Sequence, residues 1–302
     1  MELAQFDWTL YWFMFPVAIC VATTATLSGI GGAAIFTPIF MIIFPLLGPE
    51  YPLPSIAASI GVALLTATFG SSSGFLGYFQ KRLVDFKSAV PFILVGAPIG
   101  VFGAVLLTSI KEYEEALRGA YALLMFVLVY VLIRRHSPVE GETAGPAAAR
   151  RVREIVARDG TAYSYAVPRH GIGAIATGLG GFLTGLLGVG IGEVVMPQLA
   201  KRNKLPFPVA AATSVFVVIA VFAAASVTQI SLLVAGGGFA AVPWNVVIYT
   251  VPAVIIGGQI GPRLQGKISP RAMEKAIGFL FAMIGVAMSY IAIRNSFFSN
   301  TF

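Results

Sequence analysis

The residues best suited to chemistry lie in two short stretches, and what they are suited to is holding an anion. The first runs Ser28-Gly29-Ile30-Gly31-Gly32-Ala33-Ala34 and ends at Pro38; the second runs Gly188-Val189-Gly190-Ile191-Gly192-Glu193 and ends at Pro197. Each sets glycines in the middle of a hydrophobic region. A glycine break in a membrane helix frees backbone N–H and C=O groups that lipid cannot satisfy, so they must face protein or a polar cavity. If residues 32–34 and 191–193 begin new helices, their first turns present unpaired N–H groups and the positive end of the helix dipole. Glycine lets an anion come close to that backbone. Small residues also serve close helix packing, so one break alone is ambiguous. Two breaks in matching positions point to a transporter's substrate site. The candidate substrate-binding residues are therefore Gly29, Gly31, Gly32, Gly188, Gly190 and Gly192, with Ser28 beside the first break.

Neutral hydroxyls form a second candidate set. Ser59 ends Pro54-Ser55-Ile56-Ala57-Ala58-Ser59, and Thr213 and Ser214 end the similar Pro208-Val209-Ala210-Ala211-Ala212-Thr213-Ser214. Such groups can hold an oxyanion without charge, although a hydroxyl more often bonds its own helix backbone. Thr66, Thr68, Ser71, Ser72 and Ser73 follow in the same segment as Ser59. Glu193 is the one carboxylate expected inside the hydrophobic region, where an ionisable group is costly and reads as functional. It is the proton-coupling candidate; the plainer roles are capping its own helix or facing a wet vestibule. Gln198, Gln229 and Gln259 read as helix–helix hydrogen bonds.

Other chemistry finds little support. Cys20 is the single cysteine, which excludes an intrachain disulfide and a Cys metal cluster, and His136 and His170 both border a polar loop. No metal, cofactor or enzyme activity is expected. No Lys or Arg falls in mid-membrane, so anion selectivity must come from backbone dipoles and neutral donors. The net charge of +7 sits in short loops and does not indicate nucleic acid.

These groups need membrane helices to position them. Of 302 residues 57% are hydrophobic and 11% charged, with mean hydropathy +0.86, against about 25% charged in soluble domains. No Lys or Arg precedes the first apolar stretch, where Glu2 and Asp7 stand, so a cleaved signal peptide is not expected. Ten hydrophobic segments are expected at 9–28, 32–47, 54–79, 87–109, 116–133, 171–188, 191–200, 206–234, 244–263 and 273–293. The short 32–47 and 191–200 read as half-helices, crossing or re-entrant. A third repeated block, Gly96-Ala97-Pro98-Ile99-Gly100 and Gly257-Gly258-Gln259-Ile260-Gly261, follows in the same order. The expected fold is an all-α polytopic membrane protein of two inverted-topology repeats, 1–133 and 171–302, joined by a linker loop at 134–170. Within that loop, Ala147 to Ala157 reads as a short basic helix ended by Asp159-Gly160.

Charge gives the orientation. All of the 20 Lys and Arg except Lys111, Arg118 and Arg294 fall on one side if loop 134–170 is cytoplasmic, while the opposite loop 110–115 carries Glu112, Glu114 and Glu115. This positive-inside pattern requires an odd number of passes in each half and puts both termini outside the plasma (inner) membrane.

The paired glycine motifs leading to prolines, the small-residue stretches Ala57-Ala58-Ser59 and Ala211-Ala212-Thr213-Ser214 and the two Gly-x-x-Ile-Gly blocks resemble the TauE/SafE sulfite exporter family over nearly the whole chain outside loop 134–170. The resemblance implies secondary transport of a small sulfur-containing anion (sulfite, a sulfonate or a sulfoacetate-like compound), driven by protons and often outward. Glu193 departs from the small residue expected there, since the first copy has Ala34. The alternatives are a passive anion channel and a membrane enzyme acting on a lipid phosphate.

Overall fold

The computed structural model describes residues 6–109, 114–134, 152–166 and 171–267, together with 275, 278–279 and 281–286. Turns over 8–13 lead into α1 (Met14–Ser28). Next come α2 (Ala33–Leu47), α3 (Ile56–Gln80), α4 (Phe86–Ser109) and α5 (Glu114–Arg134). A two-stranded hairpin, β1 (Val152–Val156) and β2 (Ala162–Ala166), precedes α6 (Gly171–Leu187), α7 (Ile191–Pro197), α8 (Phe207–Gly237) and α9 (Trp244–Leu264). Four of these, α3, α4, α8 and α9, are long and apolar enough to cross a membrane; α1, α2 and parts of α5 and α6 are shorter apolar helices. The chain is an all-α polytopic membrane protein, with one small hairpin among the described residues.

Local chemistry sets the helix ends. The Ser55 side chain accepts from the Ala58 N–H at 3.0 Å and caps α3. Gly29 and Gly188 stop α1 and α6 in the left-handed conformation, at φ 71° and 77°. Pro38 and Pro197 are each followed by a π-helical turn, Ile39–Ile43 and Gln198–Arg202. Proline lacks the N–H that continues an α-helix, and a wider turn accommodates the loss. The two breaks thus share geometry as well as sequence.

Small residues weld the helices together. An added Cβ at Gly181 or Gly185 of α6 would run into the backbone of Gly96 and Gly100 of α4. In the same way, Gly257 and Gly261 of α9 sit against Ile19, Ala22 and Thr26 of α1. Both are the close backbone approach that small-xxx-small spacing permits in membranes. Packing partners exchange in the same way: α1 lies on α9 as α6 lies on α4, α3 meets α9 as α8 meets α4, and α3 and α8 pack together at the centre.

The loops gather at two ends. At one end the Arg158 N–H donates to the Lys81 carbonyl at 3.1 Å, Lys81 Nζ to the Pro262 carbonyl at 2.6 Å and the Asp85 N–H to Thr213 Oγ1 at 3.0 Å. At the other, Tyr11 bonds the Tyr51 carbonyl, Asn245 the Asp7 carbonyl and Tyr249 the Trp8 carbonyl.

The basic helix expected through Ala157 is a strand instead. Val152 to Val156 pairs antiparallel with Ala162 to Ala166, Val152 opposite Ala166. Its β-branched residues favour a strand, and Asp159-Gly160, with Gly160 at φ 85°, turns a hairpin rather than ending a helix. Positions 147–151 and the acidic loop 110–113 lie outside the described residues.

Candidate functional site

The two glycine breaks, one from each half, meet in the protein interior. An added Cβ on Gly192 would lie 2.5 Å from the Gly31 nitrogen. Gly31 sits beneath the Phe222 ring of α8, and an added Cβ on Gly29 would come within 2.8 Å of Ala211 Cα on the same helix. The Ser214 hydroxyl donates to the Gly29 carbonyl at 2.7 Å. These contacts lock the first break onto α8. The second break is held by Thr184, whose Oγ1 accepts from the Ile191 N–H at 2.8 Å. Gly188 lies against Thr37 of α2, and Gly190, at φ 144°, against the Gly180 carbonyl. Among the described residues, the N–H groups of Gly31, Gly32, Ala33 and Gly192 find no acceptor. Four free donors therefore cluster where the two short helices begin.

Glu193 is buried at 3% exposure. Its Oε2 accepts from the Gly190 N–H at 3.0 Å, which caps α7, while its Oε1 has no partner. The carboxylate thus fills the plain capping role with one oxygen and keeps the other unspent. Thr37 Oγ1 is likewise buried and unpartnered. The Tyr121 hydroxyl of α5 donates to the Ala34 carbonyl at 3.1 Å and lies beside the Thr37 hydroxyl. Buried polar atoms are usually paired, and two unpaired oxygens near four free N–H groups mark this locus out.

The other candidates are placed differently. The Ser28 hydroxyl bonds the Thr24 and Ala25 carbonyls at 2.9 and 3.1 Å and accepts from the Ile30 N–H, closing the end of α1. Ser59 bonds the Ser55 carbonyl at 3.1 Å. Thr213 holds the Asp85 N–H. Gly32 sits at ordinary contact distance from Ala25 and Ala67. Of the glutamines, Gln198 reaches Thr177 and Gln259 reaches Ser73, whereas both polar atoms of Gln229 are buried without partners.

Three residues escaped the sequence reading. Thr37 stands where the second copy has Met196, so the repeat does not flag it. Tyr121 carried a visible signal, a phenol inside an apolar helix whose hydroxyl needs a partner. Asp85 is a second buried carboxylate. It takes hydrogen bonds from Ser88 at 2.5 Å, Arg153 at 2.6 Å and Tyr165 at 2.9 Å. Burial alone would raise its carboxyl, but these bonds hold it below the usual carboxylate range.

The sequence profile described as Sulfite exporter TauE/SafE matches residues 14–288. The chain belongs to that family. It is 23% identical over 278 residues to the probable membrane transporter protein YunE of Bacillus subtilis (strain 168), covering 92% of this chain and 96% of the relative. It is 21% identical over 277 residues to the probable membrane transporter protein MJ0441 of Methanocaldococcus jannaschii, covering 90% and 92%. No solved structure matches the chain. As a TauE/SafE member with several membrane-length helices, it is a multi-pass membrane transporter.

Proposed function

We propose that this TauE/SafE protein exports a small sulfur-containing anion (sulfite, a sulfonate or a sulfoacetate-like compound) down the anion's own gradient, with its flux coupled to protons. One observation carries the reading: the free N–H groups of both breaks meet beside a carboxylate oxygen and a hydroxyl that have no partners. An oxyanion would take the N–H groups of Gly31, Gly32, Ala33 and Gly192, with Thr37 as a neutral donor. Ser214 and the other glycines would shape the backbone around it. No lysine or arginine is needed, because helix N-termini supply the positive potential. The breaks are packed to contact, so the anion would enter as the two halves separate, rocking about the central α3–α8 contact.

Glu193 would supply the coupling. An ionised carboxylate repels an anion at short range, while a protonated one donates a hydrogen bond. Anion and proton therefore favour each other's binding, and by linkage the effect is reciprocal. The basic loops sharing one end favour an inverted arrangement with that end in the cytoplasm and both termini outside the plasma membrane.

The test is sulfite flux in proteoliposomes under an imposed pH gradient. The gradient should drive accumulation by the wild type. Glu193→Gln should keep anion binding, flatten its pH dependence and lose gradient-driven accumulation. Flux indifferent to the gradient in both proteins would identify a passive channel instead.

A further inference from the structure

A second site lies at the end of the molecule that carries the hairpin. We propose that the pocket between the α3–α4 turn and the hairpin binds an anionic phospholipid, headgroup on Arg82 and Arg158 and acyl chain on the outer face of α4. The pocket is lined by Arg82, Arg158, Phe79, Val84, Phe86 and Ile155. Arg82 sits there at a conformational cost. The Leu83 N–H bonds the Tyr78 carbonyl and the Arg82 N–H the Phe79 carbonyl. This is the Schellman ending of a helix, and Arg82 occupies its left-handed position at φ 57°. Glycine normally fills that position because a Cβ is strained there. An arginine stands where the backbone favours glycine, which points to a use for its side chain.

Arg158 is brought alongside by its own backbone, whose N–H bonds Lys81, the residue before Arg82. Both arginines are exposed, and among the described residues neither guanidinium has a carboxylate partner. The nearby acids are engaged elsewhere: Asp85 with Arg153, Ser88 and Tyr165, and Asp159 with the Thr161 N–H. Paired guanidinia over an apolar floor fit a phosphodiester, which Arg binds through two parallel hydrogen bonds.

The apolar side selects lipid over a free anion. Phe86, Val90 and Leu94 are 40, 47 and 69% exposed and follow one another at i, i+4 spacing down α4. Phe79 and Leu76 extend the same kind of surface along the end of α3. Because α3 and α4 are membrane-length helices meeting at this turn, the track leads from the pocket into the hydrocarbon. A lipid headgroup at this depth is already concentrated at the surface, and each nearby basic residue adds to its attraction.

Native mass spectrometry of the full-length protein in detergent, with phosphatidylglycerol and phosphatidylcholine at equal concentration, tests this. The wild type should retain phosphatidylglycerol preferentially. Arg82→Gln/Arg158→Gln should reduce that preference by roughly tenfold, while Arg263→Gln, an exposed arginine outside the pocket, should not. Arg82→Gly relieves the left-handed strain, so it should melt no lower than wild type and still lose much of the preference. Unchanged preference in the double variant would overturn the proposal. So would displacement of phosphatidylglycerol from the wild type by millimolar inorganic phosphate, which would mark a site for free anions.

Discussion

At the residue scale, the glycines of the two breaks are unequal probes. A side chain at Gly31 meets the Phe222 ring, and at Gly190, φ 144°, it meets strain and the Gly180 carbonyl. Loss of transport in those variants would report damaged packing. Gly32 differs, because its added Cβ would lie 3.4 Å from the Ala25 methyl and 3.6 Å from that of Ala67. Gly32→Ala should therefore insert and melt within a few degrees of wild type. If an anion approaches its N–H, the thermal shift given by sulfite should shrink, since a ligand stabilises only in proportion to its binding. Thr37→Val is the complementary test. Its hydroxyl is buried and unpaired, so a shape-matched apolar side chain should leave stability unchanged or raise it by about 1 kcal/mol. A transport loss in a protein that melts no lower would assign the hydroxyl to the substrate. The glycines were legible because only special backbone needs put them in apolar segments. The serines were less so: Ser28 and Ser59 bond their own helices, and sequence cannot distinguish that use from ligand binding.

At the element scale, helices were legible nearly to their ends because hydrophobic runs and glycine or proline boundaries coincide. Both breaks open short helices at Ala33 and Ile191, as expected from 32–34 and 191–193. The hairpin was not legible as such, because Asp159-Gly160 ends a helix as readily as it turns a strand; what decides is the partner strand Ala162–Ala166 and the docking of Arg153 and Tyr165 on Asp85. Arg153→Ala should cost about 2 kcal/mol, the scale of hydrogen bonds to a charged group, and should raise hydrogen exchange across 152–166 while leaving the α4–α6 contact protected. The pH dependence has a definite sign. The folded Asp85 carboxyl lies below its usual value, so its stabilisation is complete above the unfolded carboxylate pKa, about 3.9. It is lost as pH falls through the folded value. The hairpin should stay docked from neutrality to about pH 4 and loosen only in stronger acid, as read by hydrogen exchange corrected for intrinsic rates. Loosening between pH 7 and 5 would mean that another group holds it. The helix welds should fail differently: Gly185→Leu drives a side chain into the Gly100 backbone and should prevent the α4–α6 pair from forming.

At the scale of the whole molecule, charge and packing bear on one question, the direction in which each half faces. The charge count puts the turn after α3, the hairpin and the loops that follow α7 and α9 on one side. Independently, hydrogen bonds tie Lys81 to Arg158 and Pro262, and Asp85 to Thr213, at a single end of the structure. The residues before α1, the α2–α3 loop and the start of α9 are bonded together at the other end. If α1 and α6 enter from opposite faces, the two breaks approach the membrane centre from opposite sides. Their free N–H groups can then meet at Gly31 and Gly192, and a rocking motion can open the same site to either face. If the halves faced the same way, α1 and α6 would begin at one end of the molecule, and both breaks would be approached from that face. Impermeant thiol labelling of intact cells decides between these arrangements. In a Cys20→Ala background, Glu50→Cys and Gly236→Cys, the latter with nothing within 4 Å of its added Cβ, should label from outside. Val156→Cys on the hairpin and Lys267→Cys should label only after the membrane is opened. Labelling of all four in intact cells, or of the hairpin alone, would remove the inverted arrangement and with it the alternating access proposed for the anion.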